Sequence, residues 1–138
     1  MPQTRQADIL RSAPYFPVAD VSSIGTYYRH VLGFECEYSA GDPPEFALYS
    51  RNGSGVMFRR VQDPGLICPN ERQGGTWDVF FWVDDVEGLH GELTAKGADV
   101  VYAPVIQPYH MKEFAVRDPN GYVLGFGQEW PPGSAPQT

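Results

Sequence analysis

The residues best suited to acid–base chemistry in this chain are Tyr109, His110 and Glu113, gathered in the stretch Pro108-Tyr109-His110-Met111-Lys112-Glu113. A histidine titrates near neutrality, and a carboxylate or phenol beside it can relay a proton. On a regular strand His110 and Glu113 would point to opposite faces, so the group works as a unit only if His110 sits in a loop. The plainer reading is that polar loop residues cap the backbone and solvate the surface. His30 and His90 fall on helical stretches and read as surface or helix-packing residues. The chain has no Ser-His-Asp pattern, phosphate-binding glycine loop or Cys-x-x-Cys.

The elements that must position these groups belong to a chain of 138 residues, enough for one domain or for two half-size modules sharing a core. Hydrophobic residues make up 42% and charged residues 20%, and no apolar run approaches the ~18 residues needed to span a bilayer, so no membrane is expected. The net charge of -7 arises from 17 acidic and 10 basic residues, with no basic cluster longer than Arg59-Arg60, which excludes nucleic acid as a partner. A cationic small molecule is easier to accommodate, although an acidic balance also simply serves solubility. The opening Met1-Pro2-Gln3-Thr4-Arg5-Gln6 lacks the apolar stretch of a signal peptide, and Cys36 and Cys68 are too few for a disulfide framework. A cytoplasmic protein with reduced thiols is expected.

The strongest local signal is Phe114 to Phe126, two apolar runs around Asp118-Pro119-Asn120-Gly121, which reads as a β-hairpin. An earlier stretch, Phe46 to Phe58, lies over it without a gap, Asn52-Gly53 falling on Asn120-Gly121. The rest of the chain repeats in step. Ala13 to Val18 reads as a strand whose prolines favour an edge. Asp20 caps a helix with its stripe at Ile24, Tyr27, Tyr28, Val31 and Leu32, ended by Gly33. Phe34 to Tyr38 is a strand. In the second half Trp77 to Val83 is a strand, Asp84 or Asp85 caps a helix ended by Gly97, and Ala98 to Tyr102 is a strand followed by a loop from Pro104 to Pro108. The repeat of about 65 residues exceeds solenoid periods and reads as a duplicated half-domain. Module one covers about 12–61, a linker about 62–75, module two about 76–129, and a disordered tail 130–138, with a polar segment before Ser12.

The segments Pro17-Val18-Ala19-Asp20-Val21, Tyr27-Tyr28-Arg29-His30-Val31-Leu32-Gly33-Phe34, Val83-Asp84-Asp85-Val86, Lys96-Gly97-Ala98 and Asp118-Pro119-Asn120-Gly121, in this order, resemble the vicinal oxygen chelate superfamily of glyoxalases, bleomycin-resistance proteins and extradiol dioxygenases. The resemblance runs from about Ser12 to Glu129. It implies an α+β fold of two paired β-α-β-β-β modules whose curled sheets form a cleft with the helices outside, and a homodimer. One fold hosts many chemistries, so the reaction does not follow from it.

Metal-dependent members carry ligands on the first and last strands of each module. Carried onto this sequence, those positions are Ala13, Asp78, Met57 and Gly125. Only Asp78 could coordinate a hard cation, short of the three or four protein ligands a divalent site needs. The expectation is therefore no metal and no cofactor.

If those positions face the cleft, strand alternation places Tyr15, Arg59, Phe80, Trp82 and Gly127 there as well. Hairpin symmetry adds Glu45, Ala47, Tyr49, Glu113 and Ala115. The other parity (Phe16, Val18, Val56, Phe58, Val79, Phe81, Val83, Leu124, Phe126) forms the core. The ligand-contacting residues expected are thus Tyr15, Glu45, Tyr49, Met57, Arg59, Asp78, Phe80, Trp82, Tyr109, His110 and Glu113. Aromatic faces with nearby carboxylates suit planar or cationic ligands. The resemblance then points to a metal-independent small-molecule-binding protein like the bleomycin-resistance proteins. The alternatives are a glyoxalase-like lyase, isomerase or dioxygenase with displaced metal ligands or an acid–base set at His110 and Glu113, and an interaction module whose cleft is filled by side chains.

Overall fold

The computed structural model describes residues 5–133. In these, β1 (Tyr15–Val18), α1 (Val21–His30), β2 (Glu35–Ala40), β3 (Phe46–Arg51) and β4 (Ser54–Arg60) are followed by β5 (Val79–Trp82), α2 (Val86–Ala95), β6 (Asp99–Gln107), β7 (Met111–Arg117) and β8 (Val123–Glu129). The strands form two four-stranded sheets with matching orders, β1-β4-β3-β2 and β5-β8-β7-β6. In each, the first strand runs parallel to the last and the other pairs are antiparallel. The chain thus adopts the expected α+β architecture of two β-α-β-β-β modules.

Local chemistry explains the boundaries. The side chain of Asp20 accepts the Ser23 N–H at 3.1 Å and that of Asp85 accepts the Gly88 N–H at 2.9 Å, so each helix starts on an aspartate cap. Gly33 and Gly97 turn the chain at φ +77° and +87°, a backbone region that disfavours other residues. Strand β1, which carries Pro17, is an edge strand where a missing N–H does little harm.

One expectation needs correction. The stretch from Pro104 to Pro108 is not a loop throughout: β6 continues to Gln107, with its register shifting between Tyr102 and Val105. An edge strand tolerates both the proline and the bulge, because no further strand needs its outer hydrogen bonds. The stretch from Gln62 to Gly75 carries two short 3-10 turns, Pro64–Leu66 and Asn70–Gln73, and is pinned to module two. The Asn70 N–H donates to Asp78 at 2.9 Å, and Arg117 holds Glu71 at 2.9 Å. The expected tail lies outside the described residues from position 134 onward, as does the start of the polar segment at 1–4.

Both modules feed one core. Phe16, Val18, Val56, Phe58, Leu124 and Phe126 are buried as the alternation requires, with Val79, Phe81 and Val83 partly buried against them. The seam between modules is made by Phe16 stacked on Tyr122 at 4.2 Å and Phe34 edge-on to Phe81 at 6.0 Å. Burying such side chains contributes roughly 1.5–3 kcal/mol each. Polar bonds fix the relative orientation: the Tyr122 hydroxyl donates to the Pro17 carbonyl (2.6 Å), the Tyr28 hydroxyl donates to Asp118 (2.8 Å), and Arg51 pairs with Glu92 (2.7 Å).

Candidate functional site

The helices pack on one face of each sheet, and the opposite faces hold the candidate site. Paired residues on neighbouring strands share a face, so register decides which side chains belong there. In module one Tyr15 pairs with Met57, Leu48 with Met57, Phe46 with Arg59 and Tyr38 with Leu48. The outer face is therefore Tyr15, Tyr38, Phe46, Leu48, Met57 and Arg59.

Tyr49 and Ala47 were expected on this face and lie on the other. They pair with Val56 and Phe58 and are buried in the core, where the Tyr49 ring sits against Phe58 and its hydroxyl abuts Gly25 of α1. The reason is turn length. The β3–β4 turn closes from Arg51 to Ser54, whereas the β7–β8 connection runs from Arg117 to Val123. Overlaying the two hairpins without a gap thus slips one strand by one residue, which exchanges its faces. Glu45 also falls outside the site: it precedes β3, and its exposed carboxylate pairs with Arg60 at 3.1 Å.

Phe46, Leu48 and Tyr38 take the vacated places, none of them singled out by sequence. Tyr15 and Tyr38 flank Phe46 with ring centroids 6.3 and 6.1 Å away, and are themselves 53% and 59% exposed. Arg59 is exposed at the rim and has no ion-pair partner among the described residues.

In module two the alternation holds. Phe80 pairs with Gly125, Trp82 with Gly127, Glu113 with Gly127 and Val105, and Tyr102 with Ala115. Trp77, Phe80 and Trp82 form a row with centroid spacings of 4.7 and 5.0 Å, and Trp82 is 73% exposed. The glycines make room for the row: a Cβ on Gly125 would lie 2.6 Å from Trp77, and one on Gly127 would lie 2.5 Å from Phe80. The indole N–H of Trp77 donates to the Tyr102 hydroxyl at 2.9 Å.

Of the acid–base set, Tyr109 and Glu113 meet and His110 stays apart. Tyr109 donates its hydroxyl to Glu113 at 2.5 Å, and desolvation together with this bond pushes its pKa up to about 12. The Tyr102 hydroxyl is likewise raised, by burial first and by the charge of Glu113. His110 occupies the hairpin turn at φ +64°, its side chain exposed and without a hydrogen bond among the described residues.

Asp78 does not present its carboxylate to the outer face. One oxygen accepts the Asn70 N–H at 2.9 Å and the other the Val123 N–H at 2.8 Å, so it anchors the loop to β8. With Ala13 and Gly125 lacking donors and Met57 offering only a thioether, these positions do not fit a divalent metal. Among the described residues no group of three or more His, Cys, Asp or Glu could hold one.

A separate groove of about 660 Å³ runs along the module seam, between Phe34 and Phe81 and the start of α2, with Trp82 at its rim. Its charged groups Arg51 and Glu92 satisfy each other at 2.7 Å. The outer sheet faces are the better candidate, since they combine exposed aromatic rings with the buried Glu113 carboxylate.

Comparison with known proteins agrees with the fold. Among solved structures, TioX from Micromonospora sp. ML1 is 25% identical with a TM-score of 0.70, covering 86% of this chain and 98% of that one. The bleomycin-binding protein of bleomycin-producing Streptomyces verticillus, complexed with copper(II)-bleomycin, is 24% identical with a TM-score of 0.66, covering 88% and 97%. A glyoxalase-related enzyme from Clostridium phytofermentans shares the fold at 13% identity, with a TM-score of 0.71 and coverage of 91% and 99%. No curated protein matches the chain. The family model for the glyoxalase/bleomycin resistance protein/dioxygenase superfamily matches residues 11–126, and the chain belongs to that superfamily.

Proposed function

We propose that the protein binds a planar aromatic or cationic small molecule on the outer faces of its sheets, without metal, as a homodimer. The observation that carries this reading is the aromatic surface left open: Tyr15, Tyr38 and Trp82 are each more than half exposed, at 53%, 59% and 73%, and they sit in rows with Phe46 and Phe80. A soluble chain gains by covering such faces, and a flat ligand or a second copy does so at little entropic cost, because the rings are already held in place. Ring stacking contributes about 0.5–1.5 kcal/mol per pair beyond area burial. The bleomycin-binding proteins among the similar structures support a small-molecule-binding role. Ala13 and Gly125 carry no donor, Met57 offers only a thioether, and the Asp78 carboxylate is held by the Asn70 and Val123 N–H groups, which supports metal independence. No helix is long and apolar enough to cross a membrane, and the two exposed, unpaired cysteines fit a reducing cytoplasm.

Tryptophan fluorescence of the protein titrated with 9-aminoacridine in EDTA tests the reading. Saturable quenching that Trp82→Ala weakens is the expected result. Quenching that EDTA abolishes, or no saturable response, would contradict it.

A further inference from the structure

Glu113 lies in the middle of β7, paired with Gly127 on one side and Val105 on the other, and is 1% exposed. One carboxylate oxygen accepts the Tyr109 hydroxyl. The other, Oε2, is the single buried side-chain polar atom without a hydrogen-bond partner among the described residues. Buried carboxylates are ordinarily paired or fully hydrogen-bonded, because an unmet oxygen carries its whole desolvation cost.

Among the described residues no basic side chain supplies the missing partner. Lys112, the neighbour in sequence, points to the opposite face, where it pairs with Glu87 at 2.8 Å and sits 4.4 Å over the Trp130 ring. Arg117 is held by Glu71 at 2.9 Å and Asp99 at 3.5 Å. His110 faces solvent. Meanwhile the polar atoms of the surrounding rings are consumed internally: Trp77 donates to Tyr102, and Tyr109 donates to Glu113. What remains unspent on this face is exposed aromatic surface and, buried beneath it, one unmet carboxylate oxygen. The bare backbone of Gly127 opposite Glu113 keeps the strand beside it free of a Cβ, which would strike Phe80 and Met111.

We propose that Glu113 Oε2 is the anchor for a protonated nitrogen bearing N–H, an amine or amidine carried by a planar aromatic ligand. This rests on the reading that the outer face of module two binds such a ligand. The carboxylate supplies charge and an acceptor, and the rings of Phe80, Tyr102 and Tyr109 supply π surface for the cation. Tyr109, half in solvent, leaves the carboxylate one side chain away from the surface.

The test uses three fluorescent probes of one size and measures their anisotropy with the wild-type chain and with Glu113→Gln. Protonated 9-aminoacridine carries charge and N–H, 10-methylacridinium carries charge alone, and acridine near neutral pH carries neither. Wild type is expected to bind 9-aminoacridine about 10- to 100-fold more tightly than acridine, with 10-methylacridinium between them, the margin of a charge-assisted hydrogen bond. E113Q is expected to lose that preference while binding acridine as wild type does. Equal wild-type affinity for all three probes overturns the proposal, even if E113Q fails to fold. A preference that survives in E113Q, or a loss of equal size for every probe, also overturns it. If no probe binds wild type at all, the binding reading of this face falls with it, whereas equal binding of all three removes only the role of Glu113.

Discussion

Asp118 should make the protein less stable at neutral pH than its fold would otherwise allow. Its carboxylate is 3% exposed, accepts the Tyr28 hydroxyl at 2.8 Å, and accepts the backbone N–H groups of Asn120 and Tyr122 at 2.9 and 3.0 Å. Burial outweighs these bonds, and the negative charge of Asp78 adds to it, pushing the pKa from 3.8 up to about 6. Because the folded value lies above the unfolded one, the native state holds this proton more tightly. The stability that Asp118 confers is therefore complete below a pH of about 4 and is lost as the pH rises through about 6. At roughly 1.36 kcal/mol per pH unit, the gap between 3.8 and about 6 amounts to about 3 kcal/mol. Asp118→Asn keeps the shape and the acceptor for the two backbone donors and removes the titration. Urea unfolding of both chains from about pH 4 to about pH 7 isolates the effect, since titrating groups not coupled to Asp118 cancel in the difference. The wild-type stability minus that of the variant should fall by roughly 2.5 kcal/mol across this range, because part of the change is already made by about pH 4. Parallel curves would refute the reasoning, and so would a difference that grows with pH.

Gly25→Ala should cost about 1–3 kcal/mol by overpacking, because the new Cβ runs into the Tyr49 hydroxyl, and adding Tyr49→Phe should recover part of the loss. If Tyr49 faced the ligand instead, the same alanine would stabilise α1 by about 0.5–1 kcal/mol in a urea melt. Gly125→Ala should destabilise by a similar ~1–3 kcal/mol and shift the tryptophan emission, since its Cβ would press on Trp77 at 2.6 Å and Phe80 at 2.8 Å. An unchanged emission spectrum would contradict the packing described. Arg51→Met removes bonds to Glu92 at 2.7 and 3.0 Å and to the Leu32 carbonyl at 2.9 Å, all at partly exposed positions. A loss of about 1 kcal/mol or less is expected for the ion pair, and it should shrink further in high salt.

Much of this architecture was legible in the chain because its signals are local. Aspartate caps, helix-ending glycines and the Asn-Gly and Asp-Pro-Asn-Gly turns depend on neighbours in sequence, and all of them do what their chemistry requires. The membership of the outer sheet face was legible only where strand parity could be carried from one residue to the next, as from Phe80 to Trp82. Parity failed at Tyr49 because it had to pass through a turn whose length differs between the two hairpins. The same slip hid Phe46 and Leu48, which lie on the outer face in its place. Pro104 masked the second half of β6, since its acceptability depends on β6 being an edge strand, a tertiary fact. The different bonding of Asp78 and Glu113 was hidden for a related reason. Whether a carboxylate is spent on backbone N–H groups or left with an unmet oxygen depends on a loop at Asn70 and a turn at Tyr109, both set by long-range packing.

The most direct measurement of the central claim is a crystal structure of the chain grown with 9-aminoacridine in the presence of EDTA. The account predicts density for the ring system against Phe80, Trp82 and Tyr102 on the outer face of the second sheet, with its protonated nitrogen at Glu113 Oε2. Density only in the groove between Phe34 and Phe81, or an outer face filled by the chain's own side chains with no room for a ligand, would contradict it.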